Sequence, residues 1–263
     1  MPAREIAAPA QIPANHRERE ILDALRLAGG SGRIPFLARQ LRVSEETIRR
    51  NIRALEAAGL VTKVHGGVHL KETAGEQPLH FRMGENPEAK RAIAARVASL
   101  IADGDSLFLD IGSTTAFIAV ALQRHRDLFV VTNSVAVAHT LAGRNGNRVF
   151  LAGGELRSHD GGAFGAEALA FVRRFRVTHA LLSTTAVNGH GFMLADLEEA
   201  ELSREAGARA ERRIVVADSA KFGRVAPIEP MEASFYDMLV TNRLPPAEIT
   251  AMLEKNAIEL VIA

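Results

Sequence analysis

From residue 87 onward, short apolar strands alternate with helical segments, and no other feature of the sequence constrains the fold as strongly. The pattern predicts strands over residues 106–109, 128–131, 148–151, 179–183, 213–217, 238–241 and 259–262. It predicts helices over residues 88–102, 114–123, 134–142, 166–173, 197–210 and 246–255. Because helices separate most of the strands, we expect a mostly parallel sheet with helices on both faces.

Polar and glycine residues follow the ends of several predicted strands, where the next helix begins. In such sheets, ligands bind beyond the carboxyl ends of the strands. Free N–H groups at a helix start, together with hydroxyl groups, can hold a phosphate, and a nearby lysine adds positive charge. We therefore predict a small-anion site, with helix capping and turn formation as the alternative. The candidate residues are Asp110, Gly112, Ser113, Thr114, Thr115, Thr132, Asn133, Ser134, Gly153, Gly154, Asp218 and Lys221.

The first 71 residues show a different pattern, which predicts three helices and a hairpin. Apolar residues at helical spacing mark helices over 17–28, 34–41 and 45–58. Ser44 is a natural N-cap for the third helix. The expected inward residues are Phe36, Leu37 and Leu41 in the second helix, and Ile48, Ile52 and Leu55 in the third. Residues 60–70 alternate around Gly66-Gly67, which predicts a two-stranded wing.

The free face of the third helix carries arginines, which points to DNA. Three helices with a short turn before the last match a helix-turn-helix. Arginine can bond to guanine or phosphate, and asparagine can pair with adenine. A solvated charged helix face is the alternative. The candidate DNA-binding residues are Ser44, Thr47, Arg49, Arg50, Asn51, Arg53 and, in the wing, Lys63 and His65.

Charge and composition indicate that the N-terminal segment and the remainder of the chain have different functions. Residues 1–71 carry a net charge of +5, whereas residues 72–263 carry −4. A basic head on a mildly acidic body is typical of a polyanion-binding segment joined to a domain with another task. The chain has no Cys, which excludes disulfides and thiolate metal sites. No apolar run is long enough to predict a membrane span or a signal peptide, so a cytoplasmic location is expected.

These motifs together resemble the DeoR family of bacterial transcription regulators. Residues 43–52, VSEETIRRNI, with His65-Gly66-Gly67, resemble the family's DNA-binding head. The family pattern D-x-G-[ST]-T-T matches residues 110–115, and T-N-S matches residues 132–134. The Gly153-Gly154 pair and the D-x-x-K-F-G pattern at 218–223 also match. The resemblance extends from about residue 16 to the end.

The resemblance implies a winged helix-turn-helix domain over 16–71 and an effector-binding sensor domain over 87–263, with a flexible arm at 1–15 and a linker at 72–86. The implied sensor is a Rossmann-like α/β domain resembling ribose-5-phosphate isomerase and glucosamine-6-phosphate deaminase. The implied function is repression of a carbohydrate catabolic operon. The implied partners are double-stranded operator DNA and a phosphorylated sugar or related anionic metabolite that relieves repression. A homodimer or homotetramer is expected, without a cofactor.

Some positions depart from the family pattern. Asn51 and His179 stand where the family usually has Asp, and Ser203 or Arg204 replaces a usual Lys, depending on alignment. Residues 183–191 contain more hydroxyl groups than usual. All of these changes leave the fold prediction intact; the change at Asn51 bears on the DNA contact at that position, and the others bear on the identity of the ligand.

An enzyme is the alternative function. A sugar-phosphate isomerase or deaminase would use Asp110 or Asp218 as its base, which requires a positioned carboxylate with a raised pKa. A DNA-binding head fused to the site favours the regulator, which needs only differential binding. His159, His179 and His190 do not have metal-binding spacing, so no metal is expected.

Overall fold

The computed structural model describes residues 16–27, 31–58, 60–64, 67–70 and 78–263. The chain divides into two compact units, Met1–Gln77 and Pro78–Ala263. The predicted arm at 1–15 and residues 72–77 of the predicted linker lie outside the described residues. The remainder of that linker is corrected, because residues 78–86 belong to the second unit and contain a short helix.

The first unit combines three helices with a small antiparallel sheet. Its helices are α1 (His16–Leu27), α2 (Ile34–Gln40) and α3 (Glu45–Ala57), and its strands are β1 (Ser31–Arg33), β2 (Val61–Val64) and β3 (Gly67–Leu70). Strands β2 and β3 pair antiparallel, which confirms the predicted two-stranded wing, and β1 adds a third strand that the sequence did not predict, in the order β1-β3-β2. The glycine-containing segment after α1 pairs with the wing, with Gly32 opposite Val68.

An apolar core joins these helices to the wing. Ile48, Ile52 and Leu55 of α3 are buried, as predicted, because residues three and four apart share one helix face. Leu37 of α2 is also fully buried. Phe36 was expected to face inward but is 45% exposed, because neighbouring helical residues point about 100° apart and Leu37 takes the inner position.

The second unit is built on a seven-stranded sheet. The sheet contains β4 (Ser106–Leu109), β5 (Phe129–Thr132), β6 (Arg148–Leu151), β7 (Val177–Ser183), β10 (Ala210–Val216), β11 (Met238–Thr241) and β12 (Glu259–Ile262). The strands β8 (Ala186–Asn188) and β9 (Gly191–Met193) form a separate two-stranded sheet. The helices of this unit are α4 (Leu79–Arg82), α5 (Pro87–Ala98), α6 (Ser113–Ala121), α7 (Val135–Leu141), α8 (Gly165–Val172), α9 (Leu197–Ala208) and α10 (Ala247–Lys255). All seven sheet strands are parallel, which confirms the predicted α/β architecture.

The strand order reverses at the centre of the sheet. The order is β12-β11-β10-β7-β4-β5-β6, so the chain runs outward from β4 to β6 and then returns to β7 on the other side of β4. Leu107 and Leu109 pack into one apolar cluster, while Phe108 packs into another on the opposite face. In an open parallel sheet, the point where the strand order reverses forms a crevice at the carboxyl ends of the strands.

Candidate functional site

Asp110 follows β4 and lies within a buried hydrogen-bond cluster. Its carboxylate is 1% exposed, and one oxygen accepts a hydrogen bond of 2.8 Å from the Ile111 N–H. The other oxygen accepts from the Ser203 hydroxyl at 2.9 Å and from the Ser183 hydroxyl at 3.2 Å. Burial raises the pKa of Asp110 to about 6, and the hydrogen bonds from these serines oppose that rise. The carboxyl group thus joins the end of β4 to β7 and α9.

Gly112 allows the loop after β4 to approach β7 closely. A Cβ at this position would lie 3.0 Å from the Ser183 Cβ. The Gly112 backbone is extended, with φ 161°, so space rather than backbone conformation requires glycine here. Its carbonyl accepts from the Thr115 hydroxyl at 2.9 Å, which fixes the first turn of α6.

The hydroxyl groups at the end of β5 and directly after it form hydrogen bonds with backbone groups of the protein. Thr132 donates to the Leu109 carbonyl at 2.6 Å and accepts from the Ser134 N–H at 3.0 Å. Ser134 caps α7 by accepting from the Val137 N–H at 3.4 Å. These bonds match the capping alternative.

A cavity of about 220 Å³ opens beside the start of α6. Its lining includes Ser113, Asp218 and Lys221, so the structure brings three of the predicted residues together. The remaining lining residues are Arg82, Glu85, Asn86, Lys90, Ala220 and Arg224. With four basic and two acidic side chains, the cavity is suited to an anion. The predicted residues outside this lining are Asp110, Gly112, Thr114, Thr115, Thr132, Asn133, Ser134, Gly153 and Gly154.

Lys90 is the most deeply buried cation of this cavity. It is 3% exposed, and its ammonium group donates to the Arg82 carbonyl. Burial lowers the pKa of Lys90, while the charges of Asp218 and Glu85 oppose that shift. Asp218 in turn accepts from the Asn86 amide at 3.3 Å and from the Ala220 N–H at 2.9 Å. A buried cation with few anionic neighbours favours the entry of an anion.

Sequence reasoning missed the basic residues Arg82, Lys90 and Arg224. Arg82 fell in the segment assigned to the linker. Lys90 carried a usable signal, because it precedes the buried residues Ile93 and Val97 by three and seven positions on α5. A lysine on the apolar stripe of a helix indicates a buried charge with a specific partner.

The free face of α3 carries the predicted basic side chains. Ser44 caps this helix, with its hydroxyl accepting from the Thr47 N–H at 3.2 Å. Arg49 pairs with Glu45 at 2.5 Å, and the wider Arg53–Glu46 pair measures 3.9 Å. Within the part of the chain that the structure describes, no ion pair engages the exposed side chain of Arg50.

The structure corrects the placement of Asn51. Its side chain is 8% exposed and donates to the Thr47 carbonyl at 2.8 Å. Asn51 lies three residues after Ile48 and four before Leu55, so it shares their inward face rather than the free one. Lys63 is exposed on β2 and contacts Glu56 of α3. His65 lies outside the described residues.

The three histidines considered above as metal ligands, His159, His179 and His190, do not form a metal-binding group. His159 lies 3.4 Å from Asp160, and His179 lies 3.5 Å from Asp105. Over the described ranges, no group of three or more His, Asp or Glu side chains is arranged to hold a metal. Among the helices that the structure describes, none has the length and apolar character needed to cross a bilayer.

A helix-turn-helix head followed by an α/β domain with a basic cavity defines a class, the DNA-binding transcription regulators that carry a separate sensor domain. The DeoR-like helix-turn-helix domain matches residues 17–74, and the DeoR C terminal sensor domain matches residues 85–243. The chain belongs to the DeoR family, which confirms the resemblance found in the sequence.

Two named repressors support this membership, and the comparison with solved structures is reported beside them. The glycerol-3-phosphate regulon repressor of Escherichia coli (strain K12) is 36% identical over 225 residues, covering 85% of this chain and 89% of that protein. The HTH-type transcriptional repressor CsqR of the same organism is 34% identical over 253 residues, covering 96% and 97%. A solved D-ribose-5-phosphate isomerase with phospho-erythronic acid has a TM-score of 0.39 at 16% identity, covering 52% of this chain and 54% of that one.

Proposed function

We propose that this regulator represses a carbohydrate catabolic operon and that a phosphorylated metabolite in the basic cavity releases the operator. The observation that carries the proposal is the convergence of Lys90, Lys221 and Arg224 on one cavity at the start of α6. The names of the relatives point to the same chemistry, since one is a repressor of a glycerol-3-phosphate regulon. As a DNA-binding protein, the regulator acts in the cytoplasm.

A phosphate group matches both the positive charge of the cavity and the N–H groups at the start of α6. The N–H groups in the first turn of a helix favour negative charge, and Lys221 and Arg224 add positive charge beside the start of α6. The volume of about 220 Å³ is below the roughly 300–1,000 Å³ of sites for drug-sized ligands. A small phosphorylated polyol or sugar is therefore the ligand class that the cavity favours.

Asp110 is placed for a structural role rather than for general-base catalysis. A general base needs an oxygen within reach of a substrate proton. Asp110 has a raised pKa, but its oxygens accept bonds from Ile111, Ser183 and Ser203, and it does not line the cavity. Assays for isomerisation and deamination of pentose and hexose phosphates test this point, and turnover above background would favour the enzyme.

The regulator acts as a homodimer or homotetramer. Regulators with this type of head usually bind paired half-sites, and a closed symmetric assembly supplies the second head. Light scattering at micromolar concentration, with and without DNA, should give at least a dimer. A monomer under both conditions would contradict this part of the proposal.

The central experiment measures operator affinity with and without phosphorylated metabolites, beginning with sn-glycerol 3-phosphate. Ligand should weaken operator binding roughly 5–150-fold, the usual range of coupling between two sites. Lys221→Ala should remove this response and leave binding without ligand intact, because Lys221 is not part of the head. Lys255→Ala, an exposed lysine on α10, is the matched control and should respond like the wild type.

Crowding the loop offers a second variant. Gly112→Val places a branched side chain against Ser183 and should also abolish the response. A wild-type response in both Lys221→Ala and Gly112→Val would show that the effector binds elsewhere. If the ligand instead tightens operator binding, the site stands and the regulator responds to a corepressor.

A further inference from the structure

Six exposed arginines lie at one corner of the second unit, in three segments that precede strands β5, β6 and β7. Because these strands are parallel, their amino-terminal ends lie at one edge of the sheet. The anion cavity lies at the other edge, beside the start of α6 and the segment that follows β10. The six residues, which we call the arginine corner, are Arg124, Arg126, Arg144, Arg148, Arg174 and Arg176.

Hydrogen bonds and aromatic contacts hold the three segments of the arginine corner together. The Asn145 amide donates to the His125 carbonyl at 3.1 Å, which joins the first segment to the second. The guanidinium carbon of Arg148 lies 5.3 Å from the centre of the Phe129 ring. The ring centres of Phe129 and Phe175 are 5.9 Å apart, which joins the third segment to the others. The six arginines therefore belong to one continuous region of the surface.

None of the six guanidinium groups forms an ion pair within the part of the chain that the structure describes. Arg173 and Arg209 show the contrast, because they pair with Glu205 at 3.1 and 3.0 Å respectively. Residues 72–263 carry a net charge of −4, so the arginine corner does not follow from a basic composition. A group of exposed cations without ion pairs attracts a partner of negative charge.

The carboxylates near the arginine corner leave part of its charge in place. Asp103 accepts from the Arg126 backbone N–H at 2.9 Å, and Asp105 accepts from the Ala102 N–H at 2.8 Å. Asp127 lies in the same segment as Arg126. Six positive and three negative charges leave a net charge of +3 in this region.

We propose that the arginine corner binds the phosphate backbone of the DNA that flanks the operator, as a second DNA contact besides the head. The inference goes beyond the proposed function and holds whichever metabolite the regulator senses. Arginine binds phosphate oxygens through two parallel N–H donors, and exposed cations release counterions from the duplex that they bind. A duplex held by the head presents its flanking phosphates to the same molecule at high effective concentration, so weak contacts add to the affinity.

Flanking DNA fits the arginine corner better than an acidic surface of a second copy does. The acidic side chains around Arg157 are already engaged, since its guanidinium group pairs with Asp196 at 2.9 Å and with Glu199 at 3.0 Å. Edge strands often carry a charge that prevents pairing with another sheet. Of the six arginines, however, Arg148 alone belongs to the edge strand β6, so this role does not account for the other five.

The salt dependence of DNA binding tests this contact in the full-length protein. Two double variants, Arg174→Gln/Arg176→Gln and Arg126→Gln/Arg144→Gln, each remove two charges from different segments of the arginine corner. The probe is a mixed-sequence duplex of about 60 base pairs, because phosphate contacts do not depend on sequence. Each double variant should lower the slope of the logarithm of affinity against the logarithm of salt concentration by about 1.8, since one phosphate contact contributes about 0.9.

A control variant and a shorter duplex separate this contact from net charge and from the head. Arg91→Gln/Arg243→Gln removes two exposed charges outside the arginine corner and should keep the wild-type slope. A duplex of about 20 base pairs spans two half-sites one helical turn apart and leaves no flanking DNA. On this duplex, all variants and the wild type should give the same slope. Circular dichroism should show an unchanged fold, because the replaced side chains are exposed.

Three results would overturn the inference and leave the proposed function standing. The first is a wild-type slope on the long duplex in both corner variants. The second is an equal loss of slope on the long and the short duplex, which would place the effect at the head rather than at flanking DNA. The third is a smaller assembly of the corner variants by light scattering, which would make the arginine corner an interface between subunits.

Discussion

The two units of this regulator place their basic residues in opposite surroundings. On α3, Arg49, Arg50 and Arg53 are exposed, and two of them meet glutamates at the same surface. In the sensor cavity, Arg82 and Lys90 are less than a tenth exposed. The positive charges of the head are therefore surrounded by solvent, whereas those of the sensor cavity are surrounded by protein.

This difference fits the ligands that each unit binds. A DNA duplex is large and already surrounded by counterions, so exposed arginines can bind it at little desolvation cost. A small anion must be selected from many, and buried cations achieve this because only a group that replaces their lost hydration is accepted. Exposed charges should thus give effects that depend on salt, whereas buried charges should give effects that depend on fit and on pH.

The largest expected effect concerns the buried carboxyl of Asp110. Its pKa is about 6 in the folded protein against an ordinary value of 3.8, so the folded state binds the proton more tightly than the unfolded state does. The resulting stabilisation is complete below about pH 4 and disappears as the pH rises through 6. It amounts to on the order of 3 kcal/mol. Urea unfolding from pH 4 to 7.5 should show this fall in the wild type but not in Asp110→Asn, and parallel pH curves would contradict it.

The next effect concerns the exposed arginines of the head. Arg50→Ala should weaken operator binding by about 1–3 kcal/mol if the side chain reads a base. Arg49→Ala should cost less, because Arg49 must first give up its pair with Glu45. Fluorescence anisotropy on operator and unrelated DNA distinguishes base from phosphate contact, since a phosphate contact lowers both affinities equally. Wild-type operator affinity in both variants would remove α3 from the interface.

A smaller effect is expected at the N-cap of α3. Ser44→Ala leaves the Thr47 N–H without its acceptor and should lower the free energy of unfolding of the head by about 1 kcal/mol. Ser44→Gly should cost only a few tenths of a kcal/mol. Chemical unfolding followed by circular dichroism measures both variants. Equal losses in the two would mean that the hydroxyl group does not act as a cap.

The smallest effect sharpens the contrast between exposed and buried charge. Glu45→Gln breaks an exposed ion pair with Arg49, so the head should lose only about 0.3–0.5 kcal/mol of stability. Operator binding should tighten slightly, because Arg49 is released and a negative charge is removed. If binding weakens instead, Glu45 positions Arg49 for DNA rather than competing with it.

The sheet was well predicted because its signal is local. The strands at Ser106–Leu109, Arg148–Leu151, Met238–Thr241 and Glu259–Ile262 agree with the predicted ranges to the residue. The short β8–β9 pair was missed because each strand has three residues, too few for alternation to stand out. Helix α4 has four residues, and its tertiary bond from Leu79 to His159 leaves no trace in the sequence.

The candidate site was predicted only in part. Ser113, Asp218 and Lys221 follow strand ends, and topology alone brings such residues to one edge. Packing decides which of the strand-end hydroxyl groups face the cavity. The hydroxyl groups of Thr132 and Ser134 form hydrogen bonds within the protein instead. The cations of α4 and α5 come from outside the strand-end pattern, so a search restricted to strand ends could not find them.

The cavity combines residues from α4 with residues that follow β10, so it is completed late during synthesis. The described head is complete at residue 70, whereas the cavity needs Arg224, which is 154 residues later. At roughly 5–20 residues per second, a ribosome takes about 8–30 s to cover that interval. A newly made chain therefore acquires its DNA-binding surface well before it acquires any means of sensing a metabolite.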